Sequence, residues 1–96
     1  MSADGPTEFE WDEDKALLNL TKHGIRFEAA AGVFDDPQRL VEADTRRDYG
    51  EPRFNVVGVV DGYCLTVTWT RRALTVRIIS ARRASREERE RYGHRA

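Results

Sequence analysis

The chain has 96 residues, 40% of them apolar and 34% charged, with a formal net charge of −1. That allows one small domain near the lower size limit of an independent core, with no room for a second domain or for internal repeats. No uncharged run is long enough to cross a bilayer and no signal-peptide pattern opens the chain. The single Cys64 excludes an intramolecular disulfide framework and fits a reducing cytoplasm.

Residues 1–7 read as a loose polar tail carrying Gly5-Pro6, residues 8–92 as the folded domain, and 93–96 as a frayed end. Glu8 to Trp11 alternates like a short strand, with Phe9 and Trp11 on one side. Asp12 is a good N-cap for a helix through Ala16, Leu17, Leu18 and Leu20, and Lys22-His23-Gly24 is a stop signal. Phe27, Ala30, Ala31 and Phe34 have helical spacing up to Asp35-Asp36-Pro37. A short strand around Leu40 to Glu42 is permitted in the polar stretch 38–52. The second half reads as sheet. Phe54 to Val60 and Tyr63 to Trp69 flank Asp61-Gly62, a two-residue turn of the I′ kind. A tight loop near Arg71 to Ala73 leads to a third alternating strand, Leu74 to Ser80. Ser85-Arg86-Glu87-Glu88 is a capping-box sequence for a last helix through about Tyr92. The expected fold is α+β: two N-terminal helices on one face of an antiparallel sheet, made of a three-stranded meander plus the short N-terminal strand, with a C-terminal helix.

Charge is divided along the chain. Residues 1–51 carry 6 basic and 13 acidic side chains, whereas from Arg71 onward there are 9 Arg, no Lys and 3 Glu. Guanidinium is planar, permanently charged and able to grip a phosphate through two parallel hydrogen bonds, so this block suggests a phosphate-bearing partner. Attraction between the two halves could equally serve the fold. His23, His94 and Cys64 have no ligand spacing, and no metal site is expected.

Phe9-Glu10-Trp11-Asp12, Asn19, Lys22-His23-Gly24, Phe27, Phe34-Asp35-Asp36-Pro37, Gly50-Glu51-Pro52-Arg53 and Arg77 to Ala84 together resemble the BrnT family of bacterial toxins, in the same order from Glu8 to Tyr92. The resemblance implies a RelE-like fold and metal-independent endoribonuclease activity without a cofactor. It also implies neutralisation by a small ribbon-helix-helix antitoxin, with operator DNA reached only through that antitoxin. A toxin dimer within a toxin–antitoxin heterotetramer is compatible with it.

Metal-free RNA cleavage needs a group to take the 2′-hydroxyl proton, another to protonate the leaving 5′-oxygen, and cations for the extra charge at phosphorus. Histidine exchanges protons near neutrality as a residue type. His23 and Glu51 are therefore the candidates for proton transfer, with Arg82 and Arg77 stabilising the transition state. Lys22, Arg53, Arg71 and Arg83 are candidates for holding RNA phosphates. Arg77 and Arg82 have no acidic neighbour within a few positions, and strand alternation sets Arg77 on a face with Thr75 and Ile79. Plainer roles compete. His23 suits the C-terminal helix dipole, Glu51 suits a surface ion pair, Glu87 and Arg91 are spaced as a helix pair, and Trp11 and Trp69 suit a core better than base stacking. The alternative function is a non-catalytic module that binds nucleic acid or a partner within a transcriptional repressor complex. The sequence pI of 6.1 counts mildly against a pure nucleic-acid binder.

Overall fold

The computed structural model describes residues 8–94, so the expected tail at 1–7 and the last two residues of the expected frayed end lie outside the described residues. In chain order the elements are β1 (Glu8–Glu10), α1 (Glu13–His23), α2 (Phe27–Ala30), a 3-10 segment (Ala31–Asp35), β2 (Leu40–Ala43), β3 (Phe54–Val60), β4 (Tyr63–Arg72), β5 (Thr75–Arg83) and α3 (Arg86–Gly93).

Local signals hold where the forces are local. Asp12 accepts from the Lys15 N–H at 3.1 Å and caps α1. The helix closes at Gly24, whose φ of 71° lets its N–H reach the Leu20 carbonyl at 2.8 Å. Asp61 and Gly62 both have positive φ, as the tight hairpin between β3 and β4 demands. Ser85 and Glu88 form the capping box, and α3 ends one residue past the expected Tyr92.

The sheet is larger than expected and mixed rather than antiparallel. Its five strands run in the order β1-β5-β4-β3-β2. β2 pairs antiparallel with β3, and β1 lies parallel to β5. The second helix is a single α-turn that tightens from Ala31 into the 3-10 segment, which contains Gly32, a weak helix former. This tight winding lets the segment press on β3. A Cβ on Gly58 would lie 3.1 Å from the Val33 Cβ, and one on Gly32 would lie 3.2 Å from Val60.

The strict alternation expected for the last strand also fails. Arg71 and Arg72 belong to β4 rather than to a loop, and a register shift leaves Ile79 without a partner between Ile78 and Ser80. This bulge keeps Val76, Ile78 and Ala81 buried while Arg77, Ser80 and Arg82 share the opposite face with Thr70, Thr68 and Thr66. Ile79 no longer belongs with Arg77; it lines a groove against α1.

The core lies between the sheet and the α1/α2 layer, where Phe27, Ala30, Val33 and Phe34 meet Val56, Leu65, Val67, Trp69, Val76 and Ile78. Trp69 is 7% exposed and packs on Phe34 and Phe54 in the core, while Trp11 is half-buried and meets Phe27 edge-on at the core's margin. α3 is not on that face. Glu88 bonds Thr66, which alternates with the core residues Leu65 and Val67, so α3 covers the opposite face. Side chains from the helical layer cap two strand edges that no strand covers. Asn19 Oδ1 accepts from the Ala81 N–H at 3.0 Å beyond β1, and Asp36 Oδ2 accepts from the Val59 N–H at 2.8 Å beyond β2.

Candidate functional site

Arg82 and Arg77 point to the same sheet face, but neither is unpaired as expected. Arg82 forms a two-pronged ion pair with Glu88 at 2.7 and 2.9 Å. Glu88 is 9% exposed and also accepts from the Thr66 hydroxyl and the Ser85 N–H. Burial alone would raise its pKa, but the guanidinium, the amide and the hydroxyl outweigh that and hold the carboxyl at about 2. Arg77 is bound to Glu10 at 2.8 Å, because the parallel β1 brings a carboxylate from 67 residues away beside it. Arg91 ignores Glu87 and grips Glu42 of β2 through two hydrogen bonds. Arg77 and Arg91 are therefore fastened to the acidic half of the chain, and Arg82 to a carboxylate within the basic block itself.

Glu51 lies at the Arg72 end of the sheet, 3.4 Å from Arg53 and 3.9 Å from Arg72. Arg53 stacks 4.0 Å over the Tyr49 ring, and both line a shallow hollow of about 380 Å³ with Asp44. The Arg46 fork on buried Asp44 pulls that carboxyl below the usual range and steadies the loop. Arg71 lies 5.9 Å from the Trp69 ring at the same end.

His23 is at the other end. It is exposed at the close of α1 and lines a cleft of about 440 Å³ between the α1–α2 corner and the β3–β4 hairpin. Arg26, Asp61, Tyr63 and Arg83 share the rim, and Leu20, Ile25, Val60 and Leu65 contribute apolar lining. Among the described residues neither Arg26 nor Arg83 forms an ion pair. Lys22 and Lys15 line the adjoining groove with Ser80 and Ile79, which extends the cationic surface past the cleft. Leu65, opposite Arg83, and Arg72, beside Glu51, are seven residues apart on β4, roughly 23 Å at ~3.3 Å per residue. The cleft beside Leu65 and the Glu51 corner therefore lie toward opposite ends of β4.

The sequence-predicted residues thus divide three ways. His23, Arg83 and Lys22 gather near the cleft; Glu51, Arg53 and Arg71 lie at the far end; Arg77 and Arg82 are ion-paired on the sheet face that α3 partly covers. Tyr63, Arg26 and Asp61 are additional polar residues at the cleft. The Asp-Gly turn is the signal that could have pointed to Tyr63, because it starts β4 beside the end of β5. Among the described residues no three His, Cys, Asp or Glu side chains are grouped to hold a metal ion, and no helix is long and apolar enough to cross a membrane.

A small α+β domain with a histidine and two arginines, neither ion-paired among the described residues, around one solvent-open cleft has the groups that phosphodiester chemistry uses. Residues 11–88 match the family described as ribonuclease toxin, BrnT, of type II toxin-antitoxin system. The chain belongs to that family, which makes it the toxin of such a pair, with ribonuclease activity, an RNA target and an antitoxin partner. No curated protein matches it.

Proposed function

We propose that this toxin is a metal-independent endoribonuclease whose cutting site is the His23 cleft. The single observation that carries the choice of site is the convergence there of His23 with Arg83 and Arg26, which form no ion pair among the described residues. In this mechanism the substrate's 2′-oxygen attacks the adjacent phosphorus as its bond to the 5′-oxygen breaks; His23 exchanges one of the two protons involved and solvent water the other, so that the 5′-oxygen leaves protonated. Arg83 and Arg26 balance the charge that builds on the phosphoryl oxygens, and Lys22 steers the backbone toward the cleft. The products are a 2′,3′-cyclic phosphate and a 5′-hydroxyl end.

Arg82 and Arg77 act as structural clamps in this scheme, and Glu51 with Arg53 and Arg71 forms a separate anchoring end. We read the partner as a small ribbon-helix-helix antitoxin that carries the complex to operator DNA, and the fold as RelE-like. Both rest on family likeness. The test is cleavage of RNA by antitoxin-free protein in the presence of a chelator. His23→Gln should lower cleavage by ~10²–10⁴-fold while RNA affinity persists. Equal cleavage by His23→Gln, or cleavage abolished by the chelator, would overturn this assignment. Unaltered RNA with retained affinity would favour the binding-module alternative.

A further inference from the structure

The cleft also contains an aromatic surface that the chemistry above does not use. Tyr63 is 53% exposed at the start of β4, directly after the Asp61-Gly62 turn. The other described aromatic rings are engaged elsewhere. Phe9, Trp11, Phe27, Phe34, Phe54 and Trp69 pack in or against the core; Tyr49 is covered by Arg47 and Arg53, and Tyr92 is tied to Asp36.

The Arg83 guanidinium lies over the Tyr63 ring, 4.4 Å from its centroid. Stacking uses the flat face of the guanidinium and leaves its N–H edges free for a phosphate. It also steadies the ring, and about half of the residue remains exposed to solvent. The floor beside it is apolar, from Leu20, Ile25, Val60 and Leu65, and the rim is polar. A flat, apolar-faced, polar-edged ligand fits such a surface, and the volume lies in the range of small-ligand sites. A nucleobase with its phosphate has that form, whereas a bare anion would leave the ring and the floor unused.

We infer that Tyr63 is the base platform of the toxin: a nucleobase of the RNA stacks on its ring while the Arg83 fork holds an adjoining phosphate. This rests on the proposed role of the same cleft and adds the residue that seats the substrate. Stacking is tolerant of base identity, so Tyr63 contributes affinity more than sequence choice.

The test uses equilibrium binding of a fluorescein-labelled 2′-O-methyl oligoribonucleotide, which binds as RNA does but lacks the attacking hydroxyl. Tyr63→Ala should weaken its binding by ~10-fold or more, the effect of losing one aromatic–base stack, and should raise KM on cleavable RNA more than it lowers kcat. Tyr63→Phe should recover the affinity, and Tyr63→Trp should report binding through quenching of its exposed indole. Wild-type affinity in Tyr63→Ala, a loss in Tyr63→Phe equal to that in Tyr63→Ala, no quenching in Tyr63→Trp, or no binding by the wild type would each overturn the platform. Tyr63-dependent binding by a wild type that leaves ordinary RNA uncut would keep the platform and overturn the nuclease assignment. Cleavage that ignores Tyr63 would do the reverse.

Discussion

Replacing Arg82 by alanine separates a clamp from a catalyst. Glu88 is buried and accepts four hydrogen bonds, two of them from Arg82, so the substitution removes half of its partners and its counter-charge. Breaking a buried ion pair from one side costs ~3–5 kcal/mol. Arg82 retains 39% side-chain exposure, so water can enter after truncation and the expected loss is about 2–4 kcal/mol. For a chain of 96 residues the total stability is roughly 5–14 kcal/mol, which makes this a large fraction. Urea unfolding should show a lower midpoint with an unchanged slope. The double variant Arg82→Ala/Glu88→Gln should recover part of the loss, because no charge is then stranded. The same pair sets an acid limit. Glu88 goes from its ordinary 4.5 when unfolded to about 2 when folded, so its contribution is complete above pH ~4.5 and lost as pH falls toward 2. That difference corresponds to about 3 kcal/mol, and Arg82→Ala should flatten the acid limb of the stability curve. A stability loss below about 0.5 kcal/mol, or an unaltered acid limb, would refute the clamp.

Two further outcomes test the framework that holds the cleft. Tyr92 donates to Asp36, which pushes its phenol up to about 12, so its share of stability is present below pH 10 and lost as pH rises toward 12. Tyr92→Phe should cost about 1–2 kcal/mol in urea unfolding at neutral pH and remove that alkaline step. Asn19→Ala should strand the Ala81 N–H and the Ile25 carbonyl, costing about 2–3 kcal/mol, and should speed hydrogen exchange at the Ala81 amide.

What could be read from the sequence was set by distance along the chain. The α1 caps, the β3–β4 hairpin and the Ser85 capping box depend on residues within a few positions, and all three form. The β2–β3 pairing and the parallel β1–β5 pairing depend on register across the chain, which no local pattern encodes. The bulge at Ile79 leaves no trace in an alternating row of apolar residues. α3 reads as a solvated charged helix, yet its Glu88, Arg91 and Tyr92 are the groups that fix it to the sheet.

The candidate site was legible in its residue types more than in its geometry. The cationic surface and His23 stand out because histidine is scarce and the arginines are clustered. Arg77 seemed unpaired only because Glu10 is 67 residues distant, and Glu88 was visible as a cap but not as the anchor of Arg82. Tyr63 was missed because its neighbour Arg83 lies beyond the point where alternation suggests the last strand should stop.

The most direct test is the identity of the RNA ends left by purified, antitoxin-free toxin with chelator present. Fragments should carry 2′,3′-cyclic phosphates and 5′-hydroxyls, and the His23→Gln protein should leave the RNA intact over the same interval. Fragments ending in 3′-hydroxyls, or undiminished cutting without His23, would contradict internal attack assisted from this cleft.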